Sequence, residues 1–409
     1  MATIVTTVTV AFDGSAHTDI SANVTNVGVS YGRQRLIDEF SAGHCNITYD
    51  NRDNSLTPGH SDSTYGNTQL IGREVRVSTV VTGGANTYPT YLFRGIITDV
   101  NYVAGQDTST VTLSVVDGFE KLGRASVFNE TFVSQKGGAR VSAILDLASV
   151  SYPNSADPQD RDIGIGTTTM DAATGVTGNA LDLIQQVTRT DNGQFLINHA
   201  GKTSATNFGG VAFWEGQGGG SDDWGIIFSD DKTLPSGSVQ MEALTLEFGS
   251  ELLFNAYEFT DSTGTIHTGK DTDSITKYGQ RTLKRTMLSS GLSTENAGEY
   301  FIGLYAEPEL RISTVTTDID SMPTNDAEKC LQFNVRTATT LSYLPSGSST
   351  TMGGQYIVEG VSYNISVRDM ATNSSRITAT YSTSAADTTA YWVLGDLTLG
   401  DFPTILAPG

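Results

Sequence analysis

Val24-Thr25-Asn26-Val27-Gly28-Val29-Ser30-Tyr31 is the stretch whose reading decides the fold class. Val27, Val29 and Tyr31 fall on one face of an extended chain, because successive strand side chains point to opposite sides. Cys45, Ile47 and Tyr49 repeat the pattern and stop at Asp50-Asn51, where short polar side chains favour a turn. Upstream, Ile4 to Val10 is rich in β-branched residues and ends at Asp13-Gly14. Downstream, Val75, Val77, Thr79 and Val81 alternate up to Gly83-Gly84; Tyr91–Val103 and Val111–Val116 complete a set of about six strands. A period of two with closely spaced turns predicts an antiparallel barrel or sandwich over residues 1–120.

Past Asp117-Gly118 the period changes. Val141, Ile144, Leu145 and Ala148 share a stripe, which predicts a helix over Ala139–Ala148. A second helix, Ala180–Arg189, turns Leu181, Ile184 and Val187 inward, with Thr177 as its N-cap and Asp191-Asn192-Gly193 as its stop. Gln194–Asn198 then reads as a strand. Residues 121–235 therefore form an α+β domain carrying a glycine-rich loop, Gly216–Gly220. Alternation returns after Val239 in Leu244, Leu246 and Phe248, and again in Leu253, Asn255, Tyr257 and Phe259. A helix over Ser293–Tyr305 has Ala297, Phe301 and Leu304 inside, and Glu295 suits its positive end. Arg311–Thr317, Gln332–Ser342, Tyr356–Arg368 and Arg376–Ser382 read as strands. The expected architecture is mainly β with α+β insertions. Two small antiparallel β-barrels occupy 1–120 and 236–386, the second with a helical and strand insertion around 285–345. An apolar tail, 387–409, is a docking arm. The two β regions read as one architecture used twice.

Composition narrows the function. The 409 residues hold 24 Lys+Arg against 45 Asp+Glu, a net charge of −21, and only 17% are charged against ~25% in an average soluble protein. Without basic stripes, wrapping nucleic acid is a poor reading. No stretch of 18 apolar residues is present to span a bilayer, and Met1–Val5 does not read as a secretory signal. Cys45 and Cys330 are too few for a Cys₄ metal site and read as buried thiols.

Motifs for chemistry are absent. His17, His44, His60, His199 and His267 form no HExxH helix, and His44 and Cys45 point to opposite faces of a strand. No G-x-S-x-G elbow occurs, and the glycine-rich run lacks the Lys-Ser/Thr of a phosphate cradle. A glycosidase needs two carboxylates across a cleft; Asp222, Asp223, Asp230, Asp231, Asp271 and Asp273 single out no pair. Oxygen ligands at Asp50, Asp53 and Asn54, or at Asp222 and Asp223, would suit calcium, but the spacing is not an EF-hand. Trp214 and Trp224 flank the glycine-rich loop and Trp392 lies in the tail; they could stack on sugars or pack against a partner. We therefore assign no catalytic residue, no cofactor and no metal site. A glycan-binding module and a peptidoglycan hydrolase remain as rival readings.

Several stretches taken together resemble the tail-hub proteins of tailed phages, the baseplate-hub or tail-tip hub components often called minor tail proteins. They are Gly32-Arg33-Gln34-Arg35, Phe40-Ser41-Ala42-Gly43, Asn46 to Asp53 with Pro58, Gly72 to Val77, Leu92 to Val100 around Gly95, Val111 to Asp117, Ser274 to Arg281 with Tyr278-Gly279, and Val358-Glu359-Gly360-Val361. On this resemblance Gly32, Arg33, Arg35, Gly43, Asp50, Asn51, Gly95, Asp117, Tyr278 and Gly279 are the motif residues. It implies a homotrimer in which each chain carries two tube-like barrels, so that three chains make a pseudo-sixfold ring. Such a ring adapts a hexameric tail tube or distal tail ring to a threefold tip, and leads on to tip fibres or receptor-binding proteins. Its lumen holds the tape-measure end and passes DNA transiently. The location implied is the virion, after synthesis in host cytoplasm. An acidic lumen would repel the phosphates and let a duplex slide; a solubilising outer surface explains the same charge.

Overall fold

The computed structural model describes residues 2–12, 16–35, 37–65, 69–85, 89–105, 108–152, 161–198, 211–214, 223–230, 238–308, 310–344, 352–369 and 374–386. The Asp13-Gly14 turn, His199, Gly216–Gly220, Asp222, Asp231, and the 387–409 tail with Trp392 lie outside the described residues.

The first β half contains β1 (Thr3–Val10), β2 (Thr18–Asp19), β3 (Val24–Gly32), β4 (Ser41–Asp50), β5 (Glu74–Thr82), β6 (Thr90–Ala104) and β7 (Ser109–Val116). They pair antiparallel in the order β3-β4-β7-β6-β5-β1, with β2 on β1. Alternation does what the sequence predicts. Val27, Val29, Cys45, Ile47, Val75, Val77, Leu113 and Val115 are all buried, while His44 faces out beside Cys45. Each such aliphatic side chain removed from water contributes about 1.5–3 kcal/mol before entropy is counted.

An α+β unit follows. It holds α1 (Phe119–Arg124), β8 (Ser126–Phe132), β9 (Gln135–Lys136), α2 (Gly137–Leu145), β10 (Arg161–Ile163), β11 (Thr169–Met170), β12 (Ala173–Asn179), α3 (Ala180–Asp191), β13 (Gln194–Ile197) and β14 (Val211–Trp214). Val141, Ile144 and Leu145 of α2 are buried, as are Ile184 and Val187 of α3, but Leu183 rather than Leu181 completes the α3 face. The N-cap of α3 is Asn179, not Thr177. Pairing of β12 with β8 keeps the chain extended to Asn179, whose Oδ1 accepts from the Asp182 N–H at 2.8 Å. Asn192 takes the left-handed conformation, φ 52°, and ends the helix as the Asp-Asn-Gly run predicts.

The second β half holds β15 (Asp223–Ser229), β16 (Ser238–Gln240) and β17 (Ala243–Phe248). A separate small unit interrupts it, made of β18 (Ala256–Thr260), β19 (Ile266–Lys270), α4 (Thr272–Tyr278), β20 (Thr282–Thr286) and α5 (Leu292–Tyr305). This unit has its own core of Tyr257, Phe259, Met287, Phe301, Ile302 and Tyr305. The half resumes with β21 (Leu310–Asp318), α6 (Thr324–Leu331), β22 (Ala338–Tyr343), β23 (Met352–Asp369) and β24 (Ser374–Ala385). The strand expected from Gln332 begins only at Ala338. Residues 332–337 form a turn instead, with Arg336 at φ +71°, because helix α6 ends just before them; Pro323 and the first-turn Asp326 start that helix, and Ala327, Cys330 and Leu331 form its buried stripe. The strand order is β16-β15-β22-β23-β24-β21-β17.

The two halves share one sheet of 14 strands. β3 pairs with β23, and β1 pairs with the start of β24. Since β23 also pairs with β24, the strands β23-β3-β4-β7-β6-β5-β1-β24 close into a ring. The protein is thus mainly β with α+β insertions. Among the described residues no helix is long and apolar enough to cross a membrane.

Candidate functional site: the seam between the two β halves

Two of the motif residues, Gly32 and Arg33, meet the Glu359-Gly360 stretch at the β3–β23 seam. The register runs from Asn26↔Ser366 to Gly32↔Gly360, so Gly32-Arg33 and Glu359-Gly360 meet although 326 positions separate Arg33 from Glu359. The backbones approach closely enough to require glycine on both sides. A Cβ on Gly32, at φ +103°, would lie 2.4 Å from the Glu359 carbonyl oxygen, and one on Gly360 would lie 2.6 Å from that of Arg33. The Arg33 N–H donates to the Glu359 carbonyl at 2.9 Å. Beside it, Arg33 Nε donates to Glu359 Oε2 at 2.6 Å, with side chains 3% and 1% exposed. Arg33 Nη1 reaches the Asp38 carbonyl at 3.1 Å, and its guanidinium lies over the Phe40 ring. Arg33 Nη2 and Glu359 Oε1 are buried without a hydrogen-bond partner. Desolvation offsets most of the attraction in a pair buried this deeply.

The other motif residues serve separate places in the molecule. Arg35 bridges Asp38 and Glu251, each at 3.0 Å, and so ties the loop after β3 to the chain after β17. Gly43 is the third residue of β4, at a register shift against β3, and its N–H donates to Asp117 Oδ2 at 2.8 Å. Asp117 in turn accepts from the Phe119 N–H through Oδ1, starting α1. Asn51 is 1% exposed; its Oδ1 accepts from the Leu56 N–H and its Nδ2 donates to Thr57. Asp50 holds Arg52, and Asp53 accepts from the Ser55 N–H, so the cluster organises its own turn. Gly95 gives close approach: a Cβ there would lie 2.5 Å from the Val116 carbonyl oxygen. Tyr278 and Gly279 lie elsewhere, at the end of α4, where Tyr278 donates to Glu307 and Gly279 caps the helix at φ +77°.

Several of the described residues weighed for ligand chemistry have partners of their own. Trp214 Nε1 donates to Asp162 at 2.9 Å and its ring lies beneath Arg336, 4.6 Å from the guanidinium. Trp224 is in β15, and no side-chain placement is described for it. His17 lies beside Glu74, with burial as the main cause of its lowered pKa; His267 lies beside Asp261. Among the described residues no three metal-ligating side chains gather. Cys45 and Cys330 are free and fully buried, and burial pushes both thiols up.

A second feature is the open edge of the sheet. β17 pairs with β21 on one side and has no neighbour on the other among the described residues. Its Leu246 and Phe248 are 39% and 69% exposed. The sequence showed β17 as an alternating strand; that it is an edge depends on pairings set far along the chain. The signal for the Arg33–Glu359 pair was available only as two separate quoted motifs.

No family model and no curated protein sequence matches the chain. Solved structures do match. A tail protein from Neisseria meningitidis MC58 superposes with a TM-score of 0.59 at 10% identity, covering 93% of this chain and 96% of that one. The 43 kDa tail protein of prophage MuSo2 from Shewanella oneidensis gives 0.56 at 13% identity, covering 94% and 99%. The Escherichia coli c3393 protein, a type VI secretion component described as similar to the T4 bacteriophage tail proteins gp27 and gp5, gives 0.50 at 10% identity, covering 89% and 74%. The chain therefore has the fold of phage tail proteins over nearly its whole length.

Proposed function

We propose that the chain is a structural subunit of a tail hub, three copies of which form a ring at the distal end of a phage tail or a related tail-derived particle. The observation that carries this reading is the seam. β3–β23 pairing and the buried Arg33–Glu359 pair hold two β halves in one fixed relation. A subunit offering two β faces rigidly is what a threefold ring needs to sit on a sixfold tube. Contacts in such a ring are heterologous, so one face of each copy must fit a different face of the next. The open edge of β17, with Leu246 and Phe248, is a suitable contributor, since unpaired strand edges template pairing with another chain. In this reading the neighbours are the tube or distal tail ring, the tape-measure end, and tip fibres or receptor-binding proteins. DNA passes only transiently, the product is a virion component, and no catalysis is involved.

Native mass measurement and negative-stain imaging of the purified chain test the reading. Rings of three are expected. A chain that stays monomeric at high micromolar concentration, with no ring after co-expression with its tail neighbours, overturns it.

A further inference from the structure

The open edge of β17 has a counterpart along β6. That strand outruns its neighbour β5: their pairing covers only Thr90 to Ile96, and the loop ahead of β5 takes up Ile97. From Asp99 to Ala104, β6 pairs with β7 alone among the described residues, and its other side is open. The two open stretches match in direction. The pairings that lead from β17 through β21, β24, β23, β3, β4 and β7 to β6 are all antiparallel, so β17 and β6 run in opposite senses. Copies related by a rotation axis along the strands keep those senses, and β6 of one copy then meets β17 of the next antiparallel.

They match in face as well. Val100 and Tyr102 lie opposite buried Leu113 and Val111, so both point to the core side of the sheet. Leu244 and Leu246 lie opposite buried Val315 and Ile312 and point to that same side, with Phe248 next in the alternation. Tyr102, Leu246 and Phe248 are nevertheless 38%, 39% and 69% exposed, because the pairing stops beside them. Neither stretch carries Lys or Pro, the residues that guard an edge left to solvent.

We propose that these two edges pair with each other between copies, β6 of one chain against β17 of the next, with Tyr102 opposite Leu246. Charge and overlap select this register from the three that bring core-side residues together. Leu246 opposite Val100 sets Glu247 directly against Asp99, and like charges so placed repel. Leu246 opposite Ala104 leaves only Leu246 to Phe248 paired. Leu246 opposite Tyr102 pairs Leu244 through Phe248, sets Phe248 against Val100, and brings Glu247 to Asn101, whose amide can donate to it. Main-chain hydrogen bonds supply the affinity, and the three exposed apolar side chains become covered. The pairing rests on the ring proposed above and names the surface that closes it.

Thr245→Cys and Val103→Cys in one chain test it. Both positions are exposed, and the register sets them directly opposite, within disulfide reach. Cys45 and Cys330 are buried and do not compete. Mild oxidation of the full chain at high micromolar concentration should give a covalent trimer, lost on reduction and absent from either single variant. Thr245→Cys with Asp99→Cys, out of register, should not cross-link. Leu246→Lys should leave the Tm of the monomer unchanged and raise the concentration for half-assembly about tenfold. Native mass measurement separates the failures. Trimers without the Thr245–Val103 cross-link overturn the pairing and leave the hub standing. Cross-linked ladders running past three keep the pairing and overturn the closed ring. Monomers without cross-links overturn both.

Discussion

The two β halves are alike in kind and unlike in strand order. Each has a three-strand meander, β5-β6-β7 in the first and β22-β23-β24 in the second. In the first half an earlier strand, β1, lies beside β5, the first strand of the meander. In the second half the earlier strand β21 lies beside β24, the last. The opposite flank differs too: β4 joins β7 antiparallel, whereas β15 joins β22 parallel, since it arrives from the α+β unit. The consequence concerns edges. Both end strands of the first half, β3 and β1, are taken up by the second half, so the first half is closed within the chain. The second half keeps β16 and β17 as open ends among the described residues. Apart from the two-residue β2, the described open ends of this sheet belong to the second half, and any sixfold likeness in a ring rests on the meanders rather than on whole modules.

The closed half should open most when its seam is broken. Glu359→Ala leaves the Arg33 guanidinium buried without its carboxylate and should cost about 3–5 kcal/mol in chemical unfolding. The double variant Arg33→Met/Glu359→Leu should recover most of that loss, because an apolar pair avoids the desolvation penalty. Hydrogen exchange should quicken along residues 26–32 and 360–366 in the single variant, and an unchanged pattern there would show that the seam does not depend on the pair. Gly32→Ala comes next, at about 3 kcal/mol, from a positive φ combined with a backbone clash. Its effect should appear as lost pairing at the same seam, with the second half's β21–β24 pairing retained.

Much of this was legible in sequence, and the boundary is physical. Strands β3, β4, β5 and β7 were readable because each has one buried face, which imposes a period of two. α2 and α3 were readable through their stripes. Cap choice on α3 was not, because Thr177 and Asn179 are both good caps and only the β8–β12 pairing decides between them. Helix α6 was not read at all, since its eight residues show only Ala327, Cys330 and Leu331 as an apolar stripe, and the strand read from Gln332 took in the turn that follows the helix. The seam was invisible as such: Arg33 and Glu359 each look like ordinary surface charges until strand pairing carries them together.

A second seam, where β1 meets the start of β24, should be sensitive to pH. Asp318 and Asp320, each 8% exposed, sit at the end of β21 beside Arg376 of β24. Burial, and then the neighbouring Asp320, raise the Asp318 carboxyl to about 6. The folded state thus holds a proton that the unfolded chain, near 3.8, releases. Stability from this pair is present below the unfolded value and falls as pH rises from about 4 to 6, by on the order of 2 kcal/mol. Other carboxylates, such as Glu74 and Glu307, are lowered and act in the opposite sense, so the comparison must be between variants. Asp318→Asn should narrow the gap between unfolding free energies at pH 4.5 and 6.5 relative to wild type in this direction. Parallel pH profiles for the two proteins would remove the pair from the account.

The smallest expected effect makes the sharpest control. Gly28 and Gly32 lie four residues apart on β3, and both face β23 across the seam, Gly28 opposite Asn364 and Gly32 opposite Gly360. A Cβ on Gly28 meets nothing within 4 Å, and its φ is not in the left-handed region. Gly28→Ala should therefore be neutral or stabilising by about 0.5–1 kcal/mol, because it restricts the unfolded chain without a clash. The contrast with Gly32→Ala on the same strand separates the general entropy of glycine from the specific demand of the Arg33–Glu359 crossing. If Gly28→Ala cost as much as Gly32→Ala, close approach at that crossing would not be what holds the two halves in register, and the whole length of β3 would be.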